Sequence, residues 1–220
     1  CISLANTHYY FEKPHITIEE IAQLVHPENV FAIGSWLGSD IGDTIFENPK
    51  EIYLASSYEQ AKTSTNKNWF PEISRKLARY KEIFGDSFYM GSQLVDARTL
   101  PASKLIYEGT SYAARKLGIK TVAVPDSYYS SQEDAYDQRI ILVNTLGTTL
   151  KKVAMKPVQG EDIALGRFFN TTNHHIPSYD EMVSFGHTEE QLENTLVIAS
   201  QCDAYSLMNK PIPPKFPTPN

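Results

Sequence analysis

Two aspartates stand where parallel strands are expected to end. Asp126 follows the β-branched run 121–124 and Pro125, and Asp40 follows the apolar run 30–33 and a glycine-containing turn. The carboxyl ends of parallel strands share one edge of a sheet, and the active sites of α/β folds usually lie at that edge. Two carboxylates at that edge could hold a divalent cation through oxygen. Aspartate after a strand is also common in turns and helix caps, so the pattern alone leaves both interpretations open.

The histidines are poorly arranged for a metal site. His174 and His175 are neighbours, and on an extended chain neighbouring side chains point to opposite faces. The two rings are therefore not expected to share one metal, and we predict packing or surface roles for them. The metal-binding strings CxxC, HxH, HExxH and DxH do not occur in the 220 residues.

Signals for other chemistries are equally weak. No G-x-S-x-G elbow occurs, and neither Cys1 nor Cys202 has a histidine nearby in the sequence. We predict two free thiols in a reducing cytosol, with a disulfide between Cys1 and Cys202 as the alternative. Gly34, Gly38 and Gly42 follow an apolar run, but their spacing fits neither a P-loop nor a dinucleotide fingerprint. They indicate a tight turn.

The elements that must position these residues alternate between strands and helices. A continuous apolar run is typical of a strand buried on both faces, and a helix shows apolar residues three and four apart. Residues 51–55 fit either a strand or a short helix. Short loops between alternating elements predict a parallel, doubly covered or barrel-like α/β sheet. Strands are predicted at 30–33, 87–94 and 121–124, and helices at 68–84, 104–117 and from the capping box 130–133 to near Gly147.

The pattern changes after Gly147. Residues 148–173 are irregular, with a short edge strand predicted at 168–170. Capping boxes at 178–181 and 188–191 predict two helices. Five prolines between Pro211 and Pro219 predict a stiff, extended exit linker. The helix after the capping box 188–191 is expected to direct four side chains into the core, namely Leu192, Leu196, Ala199 and Cys202.

Composition narrows the function classes. The net charge of −6 argues against binding of a nucleic-acid phosphate backbone by this chain alone. The basic parts of a nucleic-acid enzyme can, however, lie outside this chain. No run approaches the roughly 18 apolar residues of a membrane span, and no charged-then-apolar leader opens the chain. We expect a cytoplasmic protein. The chain starts at Cys1 without an initiator Met, so we also expect a segment of something longer.

Four stretches in the right order resemble one family. They are similar to the PHP (polymerase and histidinol phosphatase) domain of the C-family replicative DNA polymerases, cellular or phage, which is the DNA polymerase III alpha-subunit family. Residues 80–93, YKEIFGDSFYMGSQ, resemble the family's LKEIFGDRFYLELQ. The other stretches are 31–41, 122–143 and 187–217.

The resemblance implies a metal site that has degenerated. Asp126 matches the family's aspartate, and Asp40 stands where the family has glutamate. The family's histidine-rich HxH segment would precede Cys1. A hydrogen, an isopropyl group, a phenol and an amide do not rebuild a histidine–carboxylate site. The expected ligands are replaced by Gly91 (for Glu) and by Val95, Tyr128 and Gln138 (each for His).

The resemblance also sets the functional expectations. It implies an α/β fold, a distorted (β/α)7 PHP-type barrel that is incomplete, with an open edge that favours self-association. Residues 1–147 would form the partial barrel, 148–209 its irregular and helical C-terminal part, and 210–220 a linker toward a polymerase domain. The segment itself would be structural or partner-binding, with no catalytic residue and no cofactor, while the parent polymerase would use Mg²⁺.

The expected partners are the rest of the polymerase chain, a proofreading exonuclease subunit, and DNA through the parent protein, with no membrane. The alternative is a metal-dependent phosphoesterase or 3′–5′ proofreading nuclease with a rebuilt carboxylate site. Asp40 and Asp126 would then be joined by His8 or His15 as substitute ligands.

Overall fold

The computed structural model describes residues 2–7, 10, 11, 13–34, 38–48, 55, 57–94, 101–155, 165–204, 206 and 208. Several positions singled out in the sequence lie outside the described residues. They are His8, Val95, the strand or helix predicted at 51–55 (except Ala55), and the proline-rich stretch 210–220.

A parallel three-stranded sheet forms the centre of the described chain. Its strands are β3 (Ala32–Gly34), β4 (Phe88–Ser92) and β5 (Lys120–Ala123), in the order β3-β4-β5. Every residue of the central strand β4 is buried. The predicted α/β class and parallel sheet are therefore confirmed. A separate antiparallel pair joins β1 (Tyr10–Phe11) to β2 (Lys13–Pro14).

Helices follow the strands as the alternation predicts. Those of the N-terminal part are α1 (Ile2–Thr7), α2 (Ile18–Leu24), α3 (Tyr58–Thr63), α4 (Trp69–Phe84) and α5 (Pro101–Leu117). Those after β5 are α6 (Ala135–Thr145), α7 (Leu150–Met155), α8 (Arg167–Asn170), α9 (Tyr179–Phe185) and α10 (Glu189–Ser200). No helix in the described part of the chain is both long enough and apolar enough to cross a membrane.

The main hydrophobic core lies where α4 and α5 pack together and against the sheet. Ile73 and Leu77 of α4 are completely buried and belong to one cluster with Ile106 of α5 and Met90 of β4. The cluster is built from helix residues at three- and four-residue spacing, because only such a row faces one side. Helix α5 ends at Gly118 in the left-handed conformation, at φ +61°, as its predicted C-cap requires.

Two strand predictions are wrong. Residues 30–33 were expected to be buried on both faces, but β3 is an outer strand of the sheet and Ile33 is 47% exposed. Among the described residues β3 pairs with a strand on one side only, so an apolar run there does not imply full burial. Residues 168–170 form helix α8 instead of an edge strand. The capping box before α6 is also shifted by one residue, to Ser131 and Asp134.

Helix α10 turns a different face inward from the one predicted. Leu192 is buried as expected, but Leu196 is 71% exposed, and Ala199 and Cys202 are exposed too. The helix lies along β5, and the Asn194 amide donates to the main-chain oxygen of Thr121 at 2.7 Å. A polar residue therefore faces the strand, and its amide donates to a main-chain carbonyl of β5.

Candidate functional site at the end of strand β5

Asp126 lies at the carboxyl end of β5, as predicted, and its side chain is only 8% exposed. Pro125 ends the strand because it has no N–H to donate. The Asp126 carboxylate oxygen Oδ2 lies 3.5 Å from Arg167 Nε and 3.3 Å from His174 Nδ1. The His174 side chain is buried, at 1% exposed, and the Arg167 side chain is 12% exposed. The carboxylate thus faces one permanent cation and one imidazole of the same chain.

The His174 ring is held by a main-chain hydrogen bond, and the Asp126 carboxylate oxygen Oδ2 lies beside it without one. Its Nδ1 lies 2.9 Å from the main-chain oxygen of Asp126, a distance at which Nδ1–H donates to that oxygen. Its Nε2 has no hydrogen-bond partner among the described residues. The ring is packed by Phe168, 4.6 Å away between centroids, and by the edge of Tyr128 at 6.0 Å.

Main-chain pairing brings these distant residues together. The Tyr128 amide donates to the oxygen of His174 at 2.7 Å, and the Ile176 amide donates to the oxygen of Tyr129 at 3.1 Å. The stretch after β5 therefore runs beside residues 174–176 as a short parallel bridge. Arg139 of α6 adds two hydrogen bonds to main-chain oxygens, at Phe168 and Thr171, and so fixes helix α8.

Of the three positions that replace expected histidines, Tyr128 and Gln138 are described by the structure. The Tyr128 hydroxyl accepts a hydrogen bond from Arg167 at 3.3 Å, and the side chain is half exposed. Burial, followed by the charge of Asp126, raises the pKa of Tyr128, so the phenol stays neutral at physiological pH. Gln138 is half-buried on α6, and Gly91 is buried inside β4.

The neighbouring histidines serve two different carboxylates. His175 Nε2 lies 3.0 Å from Glu181 Oε1, whereas His174 faces Asp126. Hydrogen bonds from the main chain and side chain of Ser178, and then from His175, lower the pKa of Glu181. His175 therefore ties the N-terminus of α9 to the cluster, and both rings are buried. Of the packing and surface roles predicted for His174 and His175, the structure therefore supports packing for both.

Asp40 is placed at a separate site. Its carboxylate accepts a hydrogen bond from the Tyr80 hydroxyl at 3.2 Å and lies 3.9 Å from Lys76 Nζ. It lines a cavity of about 210 Å³ with Gly34 at the end of β3. Burial, followed by the Asp40 charge, raises the pKa of Tyr80 to about 12. The tight turn predicted here is present, with the Gly38 backbone at φ 78°.

The structure does not bring the predicted ligands together. Asp40 and Asp126 follow the two outer strands, with β4 between them, and neighbouring strands are about 4.8 Å apart. His15 is exposed directly after β2. In the described ranges, no group of three or more His, Cys, Asp or Glu side chains is placed to hold a metal ion. The Asp126 carboxylate already faces a cation of the same chain, the Arg167 guanidinium at 3.5 Å.

A third buried histidine lies near the carboxyl end of β4. His187 follows Gly186, which has φ +108°, and its ring lies beside the Leu94 main chain. Burial lowers the pKa of His187, against smaller opposing effects of the Gln191 side chain and the Leu94 main chain. As the pH falls below about 6.5, the unfolded chain takes up this proton before the folded chain does. The stability that depends on neutral His187 is therefore full above about pH 6.5 and is lost below it.

His187→Gln is expected to lose less stability than the unmodified chain when the pH is lowered from about 7.5 to 5.5. Urea unfolding at both pH values measures the difference. His26→Gln is the matched control, because His26 is exposed, and it should follow the unmodified chain. Equal losses for the unmodified chain and His187→Gln would contradict the assignment.

Comparison with known proteins supports the resemblance seen in the four sequence stretches. No known protein-family model matches the chain. The chain is 30% identical over 154 residues to DNA polymerase III subunit alpha of Borreliella burgdorferi, covering 69% of this chain and 12% of that protein. It is 26% identical over 220 residues to the Helicobacter pylori (strain J99) subunit, covering 94% and 15%.

The Thermus aquaticus subunit is 25% identical over 194 residues, covering 88% of this chain and 13% of that protein. The chain thus spans between 12% and 15% of the length of these three relatives. The predicted resemblance is confirmed. Over most of its length, this chain is similar to one segment of the DNA polymerase III alpha subunit.

Proposed function

We propose that this chain is a PHP-type segment of a replicative DNA polymerase that supports the polymerase without catalysing a reaction itself. The similarity to seven DNA polymerase III alpha subunits supports the first half of the proposal. One observation carries the second half, namely the Arg167 guanidinium 3.5 Å from the Asp126 carboxylate. This is the carboxylate that would have to bind a metal.

A guanidinium at that position opposes metal binding for an electrostatic reason. Arginine stays protonated in proteins, and two unit charges 4 Å apart interact by about 4 kcal/mol at an effective dielectric constant of 20. A divalent cation at Asp126 would meet twice that repulsion from Arg167. In this proposal the charge of Arg167 balances the carboxylate that a metal balances in an active site.

The proposal extends to the architecture and the partners of the parent protein. Residues 1–147 belong to an incomplete, distorted (β/α)7 barrel, residues 148–209 to its helical C-terminal part, and residues 210–220 to a linker toward the polymerase domain. The parent acts in the cytoplasm on DNA with Mg²⁺, and this segment contacts the rest of that chain and a proofreading exonuclease subunit. The parallel sheet and the helices packed on it would serve those contacts.

Metal analysis of the purified chain tests the proposal. After dialysis against zinc or manganese and removal of the excess, we expect far less than one equivalent of metal, unchanged by Asp126→Ala. Asp137→Ala, an exposed acidic residue on α6, is the control for a general change in charge. Stoichiometric metal that is lost in Asp126→Ala and retained in Asp137→Ala would overturn the proposal and favour the phosphoesterase or nuclease alternative.

A further inference from the structure

A groove on the surface beside α4 and α5 has no role in the proposed function. It encloses about 520 Å³ and runs along one row of α5, from Leu105 to Tyr112. This row spans about two helical turns, or roughly 10 Å. The volume is within the range of specific binding sites in proteins. The apolar lining consists of Ile45, Trp69, Phe70, Leu105, Gly109 and Tyr112.

Three aromatic rings make one wall of the groove. The centroids of Trp69 and Phe70 are 5.5 Å apart, those of Phe70 and Tyr112 are 5.4 Å apart, and all three pairs meet edge to face. Tyr112 remains exposed, and Trp69 and Phe70 are half-buried. Aromatic side chains have few rotatable bonds, so they offer a large contact area at a low cost in side-chain entropy. The wall is therefore suited to holding apolar side chains of a partner.

The rim of the groove carries an unpaired positive charge. Lys62 of α3 lines the groove and is exposed, and its ammonium group has no ion-pair or hydrogen-bond partner within the described residues. Among the described lining residues, Glu108 is the one acid. Its carboxylate accepts a hydrogen bond from the Tyr58 hydroxyl and lies 4.0 Å from Lys104 Nζ. Glu108 therefore does not neutralise Lys62.

Two further lysines lie beside rings at or near the groove. Lys116 Nζ is 5.6 Å from the centroid of the Tyr112 ring, and Lys104 Nζ is 5.3 Å from that of the Tyr58 ring. Both ammonium groups are on exposed side chains, so each can still pair with an anion while it lies over a ring. The groove therefore combines apolar walls with a basic rim, although the whole chain has a net charge of −6.

We propose that this groove binds an acidic amphipathic segment of another protein, in which large apolar side chains are flanked by Asp or Glu. The apolar side chains fill the space beside the aromatic wall, and the carboxylates pair with Lys62 and its neighbours at the rim. Charge complementarity selects this occupant over a basic segment. A long polyanion such as DNA is disfavoured, because its phosphates would extend beyond the groove over a chain of net negative charge.

Fluorescence anisotropy of a labelled synthetic peptide, titrated with the full chain, tests the proposal. The probe carries leucine and phenylalanine flanked by glutamates. We expect saturable binding that weakens several-fold between about 50 mM and 500 mM salt, because ions screen exposed charges. Two further peptides are the controls, one with lysine in place of glutamate and one with serine in place of the apolar residues. Each should bind about tenfold more weakly or worse.

Variants of exposed groove residues locate the binding. Lys62→Glu is expected to weaken binding of the acidic peptide about tenfold and to strengthen binding of the lysine peptide, because it reverses the charge at the rim. Lys151→Glu, at an exposed position on α7, makes the same change in net charge and should alter neither. Tyr112→Ala should weaken the acidic peptide about tenfold. Tyr136→Ala, an exposed tyrosine on α6, should bind as before.

Three results would overturn the proposal. The first is equal binding of the three peptides, or binding of the acidic peptide that Lys62→Glu and Tyr112→Ala leave unchanged. The second is a single-stranded oligonucleotide that displaces the acidic peptide and loses binding in the same two variants, which would assign the groove to nucleic acid. The third is a dimer in sedimentation that Tyr112→Ala converts to a monomer, which would assign the groove to a second copy of this chain.

Discussion

Leu77→Ala is expected to lower the free energy of unfolding by about 2–5 kcal/mol. Leu77 is completely buried at the centre of α4, in the cluster that joins this helix to α5 and to strand β4. Removing its side chain loses the transfer free energy of three carbons and leaves a cavity that the packed helices close only in part. Urea unfolding followed by circular dichroism measures the loss as a lower midpoint at an unchanged slope.

A second leucine provides the matched control. Leu196→Ala removes the same atoms from α10, where the side chain is mostly exposed, so the change should stay within about 0.5 kcal/mol. The pair also tests the orientation of α10, since the amphipathic pattern alone predicts Leu196 inside. Similar losses for the two variants would contradict the placement of α10 against β5.

Arg167→Met is expected to destabilise the chain by about 3–5 kcal/mol. The substitution removes the guanidinium from the buried Asp126 carboxylate and from the Tyr128 hydroxyl. It keeps most of the volume that packs on Phe168, whose ring centroid lies 4.4 Å from the guanidinium carbon. The loss therefore reports the uncompensated buried charge rather than a cavity. Urea unfolding at neutral pH measures it.

Two further variants separate this charge effect from a general loss of arginine. Asp126→Asn combined with Arg167→Met removes the unpaired charge and should recover at least half of the lost stability. Arg75→Met, at an exposed position on α4, should cost no more than about 0.5 kcal/mol. If Arg167→Met alone cost less than about 1 kcal/mol, the pair would contribute little, as exposed ion pairs do.

The sequence predicts those parts of the fold that local interactions decide. Helix α4 and the capping boxes of α9 and α10 depend on residues three and four apart, and they occur where expected. The burial of β3 and the inward face of α10 depend on what packs beside them, which no local pattern encodes. For this reason Ile33 and Leu196 are exposed although both stand in apolar patterns.

The candidate site divides in the same way. Asp126 is predicted because its place at the end of a strand can be seen in adjacent residues. Arg167 and His174 are missed, because each lies more than 40 residues from Asp126 and no motif connects them. A basic residue beside two aromatics, Arg167-Phe168-Phe169, was the available signal. This pattern indicates that Arg167 has a structural role only once Asp126 is known to be its partner.

The short parallel bridge between the stretch after β5 and residues 174–176 also bears on the order of folding. The Ser127–His175 hydrogen bond joins residues 48 positions apart. Closing so long a loop costs chain entropy before any contact compensates for it, and contacts of high sequence separation slow folding. The bridge is therefore expected to form late, after α4, α5 and the sheet. The amides of Tyr128 and Ile176 then belong to one cooperative unit. Their hydrogens are expected to exchange with solvent at a common rate, which is faster than the exchange rate of amides in the core.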